Sequence, residues 1–292
     1  MHDRTVSRVG RVANRVRELA RCALLVVPVL SGLPSEATAA IAVYESAGGS
    51  PADITPTRDA FRNAIGGGTV AGPNGNFGGL RREINWDGVP DARSDPNPLP
   101  ADFFNVNSPR GVVFSTPGSG FLVSANAASS TPILFGFPGD LQTFSAQRLF
   151  APVGSGIMDI RFFVPGTSTA ATTTAFGAVF ADADYTELGD ATTMEFFDPS
   201  NNLIFSGIVP ATSNLGLSFL GGVANAGERI SRVRITTPLN FLKSNGVRDN
   251  EDHDFVIMDD FIYASPKAIP EPGTLVLGLL GLAVCWRSRK RA

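Results

Sequence analysis

Cysteine is almost missing from this chain. The two cysteines in its 292 residues, Cys22 and Cys285, lie in the terminal segments, so the body between them has neither a disulfide framework nor a thiolate metal site. Histidine is as scarce: only His2 and His253 occur. A three-histidine or His/Cys zinc site is therefore excluded in the body, and a Ser-His-Asp triad would have to use His253 with no Gly-x-Ser-x-Gly elbow to go with it. A P-loop lysine is absent. Gly66 to Ala71 fits the letters of a dinucleotide turn, but Pro73 and Gly75 follow where a helix should open, so it reads as a loop. Charged residues make up only 17% of the chain, and the basic ones crowd the ends. Between Ile41 and Trp286 there are 14 Lys and Arg against 24 Asp and Glu, a net charge of about −10. Nucleic-acid binding needs the opposite balance. No internal repeat is visible, which argues against a propeller or solenoid.

Both ends carry targeting features. Residues 1–40 hold six arginines, then the apolar run Cys22 to Leu33, then Ala37-Thr38-Ala39. That order is the n-region, h-region and small-residue cleavage site of a secretory signal peptide, which implies the secretory translocon as a partner. The other end reads Pro270-Glu271-Pro272, an apolar run from Gly273 to Trp286, and the basic cluster Arg287, Arg289, Lys290 and Arg291. The prolines hold the backbone extended. The apolar run is about 21 Å long as a helix, short against a hydrocarbon core of roughly 30 Å, so Trp286 and the arginines must reach into the interface. The basic cluster belongs on the cytoplasmic side of the membrane lipid, with the body outside.

The order Pro270-Glu271-Pro272, apolar segment, Arg/Lys cluster resembles the PEP-CTERM sorting signal of Gram-negative bacteria. The resemblance implies an exosortase as processing partner, an inner-membrane anchored form before processing, and a cell-surface, envelope or extracellular-matrix location afterwards. An ordinary C-terminal anchor is the alternative. The blocks Arg81 to Val89, Leu217 to Gly221, Arg229 to Ile235 and Asp259 to Tyr263 resemble segments of exported bacterial proteins with the same tail, which implies a shared secreted β-domain. The expected organisation is a signal peptide over 1–40, one secreted domain over 41–268, and the sorting signal over 269–292.

The body reads as all-β. Short runs bounded by Gly, Pro, Asn and Asp replace long helical periods. Strands are expected at Leu80–Trp86, Val112–Ser115, Gly120–Ala125, Ile133–Phe137, Thr143–Phe150, Ile157–Val164, Thr172–Ala181, Thr193–Phe197, Leu203–Ile208, Leu215–Leu220, Ile230–Thr236 and Phe255–Ala264. Met158, Ile160 and Phe162 alternate with Asp159 and Arg161, and Arg232 and Arg234 with Val233 and Ile235. One wet and one dry face predict an antiparallel β-sandwich, of jelly-roll type. One short helix is expected at Arg58 to Ile65, with Gly66 behind it.

Candidate site residues are few. Trp86, the body's tryptophan, is either a core anchor or a sugar-stacking platform. The acids Asp182, Asp184, Asp259 and Asp260 are the candidate calcium ligands, because calcium takes six to eight hard oxygens and suits exported acidic loops. Strict alternation would set Asp259 with Phe261 on one face and Asp260 with Met258 on the other, leaving one carboxylate core-facing and in need of a partner. The alternative to calcium is a solvated loop plus a hydrogen-bonded carboxylate. The expected function is a non-catalytic exported surface protein associated with the envelope or exopolysaccharide. A carbohydrate-binding module, or less readily a glycan-active hydrolase, is the competing expectation.

Overall fold

A computed structural model describes residues 41–184, 191–243 and 254–269. The chain enters as β1 (Ile41–Gly48) and turns at once into α1 (Pro51–Ile65). Asp53 ties down the start of that helix: its Oδ2 accepts from the Ser50 amide at 2.9 Å and from the Ser50 hydroxyl at 2.8 Å. Pro51 suits the first helical position, where its missing N–H has no partner to lose. The helix begins seven residues before the expected Arg58, because Ser50-Pro51-Ala52-Asp53 is a start signal that Pro56 obscures.

Next come β2 (Asn76–Phe77), β3 (Arg81–Ile84), the short helix α2 (Phe103–Val106), β4 (Val112–Ser115), β5 (Gly120–Val123), β6 (Phe150–Val153), β7 (Ile157–Phe162), β8 (Ala171–Thr172) and β9 (Ala175–Ala181). The chain then runs through β10 (Thr193–Phe197), β11 (Leu203–Ile208), β12 (Leu217–Ala224), β13 (Arg232–Thr236), β14 (Ile257–Ala264) and β15 (Lys267–Ala268). One sheet runs β1-β12-β9-β14-β3-β2, with β6 also pairing β14 and β5 pairing β6. A five-stranded sheet runs β11-β10-β13-β7-β4, and β15 and β8 form a ribbon. All pairings between these strands are antiparallel, so the all-β expectation is met.

Three layers result. Phe176, Ala178 and Phe180 of β9 face the five-stranded sheet, where they meet Phe162, Phe196 and Val233 in the main core. Val179 and Ala181 face the other way, into a second core under α1 with Ile54 and Phe61. A strand covered on both faces has no reason to alternate with polar residues, which is why β9 reads as a continuous apolar run. Phe61 lies edge-on to Tyr44 and Phe219 at 5.6 and 5.4 Å. Gly221 floors its ring: a Cβ there would come within 2.9 Å of Phe61.

Two strand expectations fail. Ile133–Phe137 turns through a 3-10 segment, with Leu134 and Phe135 at positive φ. Within Thr143–Phe150 only Phe150 is in a strand, because the preceding loop is spent on hydrogen bonds to carboxylates described below. Among the described residues no helix is long and apolar enough to cross a membrane.

Candidate functional site

β14 carries a bulge. Met258 pairs with Phe180 and Phe261 with Ala178, so three steps along β14 answer two along β9. The extra residue breaks the expected alternation: Met258 and Phe261 both reach the main core, while Asp259 and Asp260 lie between them. Asp259 Oδ2 accepts from the amides of Phe144 at 2.6 Å and Ser145 at 3.3 Å. The Ser145 hydroxyl stands 3.2 Å from Asp259 Oδ1 and 2.8 Å from Asp260 Oδ1. Burial pushes the Asp260 carboxyl up to about 6, with Ser145 and Arg62 opposing. Burial, and then the neighbouring Asp260 charge, pushes Asp259 well above the usual carboxylate range.

Asp260 lines a cleft of about 570 Å³ between α1 and the loop ahead of β2. An adjoining recess of about 510 Å³ shares Arg58, Arg62, Ala71 and Phe77. The walls are rich in arginine. Arg81, buried at the start of β3, bonds Glu83 at 2.6 Å and the carbonyls of Arg62, Gly66 and Gly68, closing the C-terminal end of α1. Arg62 takes the other oxygen of Glu83 at 2.5 Å. Arg110 donates to the Glu83 carbonyl and to the Ser108 hydroxyl, and lies over the Phe104 ring. Gly75, at φ +59, makes room for it: a Cβ would sit 2.2 Å from the Glu83 carbonyl and 3.0 Å from Arg110 Nη1. Arg58 lies over Phe144 and meets Asp59 at 2.9 Å through Nε.

The four candidate calcium ligands do not converge. Asp182 and Asp184 end β9 beside Asp254, while Asp259 and Asp260 occupy the bulge further along. The void beside Asp184 and Asp254 is about 10 Å³, the scale of one water. Among the described residues no group of three His, Cys, Asp or Glu is disposed to hold a metal ion. Among the described residues these four acids thus form two separate clusters. Burial pushes Asp254 up to about 9, and burial with the Asp184 charge pushes Asp182 up to about 7.

Trp86 is a core anchor. Its ring is buried, stacks on Phe150 at 4.0 Å and meets Phe261 edge-on at 5.1 Å. A buried ring offers no face to an external sugar, so the stacking expectation is withdrawn. Sequence reasoning missed Arg58, Arg62, Glu83 and Arg110, although period two already put Glu83 on the same strand face as Arg81.

Pro270, Glu271, Pro272, Arg287, Arg289, Lys290 and Arg291 lie outside the described residues, as do the signal-peptide segment and the acids from Asp249 to Asp252. Residues 268–291 match the PEP-CTERM protein-sorting motif. The chain thus carries the signal of an exosortase-sorted, exported protein, anchored at the membrane before it reaches the surface. No curated protein and no solved structure matches the chain.

Proposed function

We propose that this carrier of the PEP-CTERM motif is a non-catalytic surface protein of the envelope or exopolysaccharide matrix, its body a jelly-roll sandwich displayed by the tail. The observation that carries this is the position of the motif, which starts within the β8–β15 ribbon at Ala268, directly against the folded body. The chain also passes between the two large sheets at β3–β4, β4–β5, β6–β7, β7–β9, β9–β10, β11–β12, β12–β13 and β13–β14, which favours the jelly-roll reading. Replacing Pro270, Glu271 and Pro272 with alanine in an exosortase-bearing host tests it. The expected result is a full-length, membrane-retained protein; undiminished release of a shortened form would remove the sorting reading.

A second reading, a glycan-active hydrolase, has one observation behind it: Asp260 and Glu83 line the same cleft. Both oxygens of Glu83 are held by arginines, while burial pushes the Asp260 carboxyl up to about 6. Reducing-end release from oligosaccharides, lost in both Asp260→Asn and Glu83→Gln, would establish it over the non-catalytic reading.

A further inference from the structure

The arginine-lined cleft holds more positive charge than its own carboxylates answer. Glu83 gives both oxygens to Arg62 and Arg81. Arg110 bonds only neutral oxygens, the Glu83 carbonyl and the Ser108 hydroxyl. The terminal nitrogens of Arg58 make no hydrogen bond to the described residues; its side chain is 13% exposed, and its ion pair runs through Nε to Asp59, itself half-exposed. Burial lowers the pKa of both Arg58 and Arg110, and the neighbouring charges of Arg62 and Arg82 respectively act in the same direction. A body of net charge about −10 would be expected to neutralise such cations internally. It leaves these two on the lining of one cleft instead.

We propose that the cleft binds a small carboxylated sugar, a hexuronate unit, with its carboxylate on Arg58, whose terminal nitrogens are uncommitted, and with Arg110 adding positive charge to the same lining. The guanidinium fork matches a planar carboxylate, and a single negative charge suits a site that also holds Glu83 and Asp260, where a phosphate dianion would be repelled. Asn85, Ser145 and the buried Asp260 line the same space and offer donors and acceptors to ring hydroxyls. Phe77 and Phe144 supply apolar wall for the ring carbons. This mode needs no exposed tryptophan. It is also independent of the sorting tail, so it stands or falls apart from the proposed function.

The test is calorimetric titration of the full-length protein in detergent with glucuronate and galacturonate, against glucose, acetate, phosphate and sulfate. Expected is binding of at least one uronate about tenfold or more tighter than glucose or acetate, weakened about tenfold in Arg58→Gln. Arg58→Lys, which keeps the charge and loses the fork, should fall between. Melting temperatures of the variants, unchanged within a few degrees, keep a loss of binding distinct from a loss of fold; if Arg58→Gln does not fold, Asn85→Ala provides the weakened variant. No uronate binding at millimolar concentration overturns the proposal. So does phosphate or sulfate binding as tightly as a uronate, or affinity that ignores Arg58 in folded variants.

Discussion

The indole Nε1–H of Trp86 donates to the main-chain oxygen of Asp259 at 2.7 Å, deep in the fold. The bulge that turns both aspartates toward the cleft side frees this carbonyl from the ladder, and the tryptophan takes it up. A ring that fills the core thus also fixes the backbone that places Asp260 in the cleft.

Trp86→Ala should therefore be among the most damaging single changes, at about 3–5 kcal/mol by loss of ring packing. Trp86→Phe keeps most of the packing but leaves a buried carbonyl without its donor, at a further cost of about 1–3 kcal/mol. For a domain of this size each kcal/mol moves the melting temperature by roughly 2–4 °C. Thermal unfolding of both variants measures this; a Trp86→Phe protein as stable as the parent would show that the carbonyl has another donor.

Much of this fold was legible beforehand, and the failures have causes. Val112–Ser115, Thr193–Phe197 and Leu203–Ile208 were readable to the residue because turn formers bound them on both sides. β1 went unmarked because it follows directly on the signal-peptide segment. The bulge was invisible, since period-two reasoning assumes a register that only the partner strand β9 reveals. The cleft was harder still: Arg58, Glu83, Arg110 and Asp260 come from four distant segments, and no spacing rule joins them.

The Ser145 hydroxyl holds the two bulge carboxylates together. Ser145→Ala should destabilise the fold by about 1–3 kcal/mol through unsatisfied buried oxygens. Its effect should shrink in an Asp260→Asn background, with a coupling of about 0.5–3 kcal/mol in a double-mutant cycle. Strict additivity would mean that the serine and Asp260 act separately.

Asp159 gives the opposite case. Burial alone would raise its carboxyl, but hydrogen bonds from Arg234 at 2.8 and 2.9 Å and from Arg232 at 2.9 Å outweigh that and hold it below the usual range. A lowered folded pKa contributes stability above the unfolded value, near 3.9, and loses it as pH falls through the folded one. Asp159→Asn should cost about 1–3 kcal/mol at pH 7, and the gap to the parent should close as pH falls through the lowered folded value. A gap that persists unchanged at low pH would assign the effect to packing rather than charge.

Asp182 and Asp254 are raised, to about 7 and about 9, and each leaves Oδ1 buried without a hydrogen bond among the described residues. Between the unfolded value near 3.9 and these folded values the native state binds more protons than the unfolded chain. Stability therefore falls as pH rises through that window, and the loss is complete only above about 9. Asp254→Asn removes the group that contributes most to this slope. Its melting temperature should exceed the parent's at pH 8 by roughly 2–4 °C for each kcal/mol relieved, and match it near pH 4. Equal pH slopes in the two proteins would mean that the carboxylate is already neutralised by a partner.

The sorting motif offers the last test, because the body leaves it little slack. The Ile269 amide donates to the Ala170 carbonyl at 3.3 Å, and Lys267 pairs with Thr172, so the ribbon reaches to within one residue of Pro270. From Ile269 to Gly273, where the apolar run begins, four residues span at most about 14 Å. Before processing, an anchor beginning at Gly273 therefore holds the end of the ribbon within about 14 Å of the apolar run. A protease that reads an extended strand needs several free residues around its target, and the ribbon holds them. Opening it should limit the rate. A ten-residue Gly/Ser spacer between Ile269 and Pro270 should speed conversion from anchored to released protein in a pulse-chase experiment. Lys267→Pro, which removes a ladder donor on exposed β15, should do so as well without lowering the melting temperature by more than a few degrees. Conversion that is unchanged by both, or slowed by the spacer, would show that the motif is read with the ribbon intact.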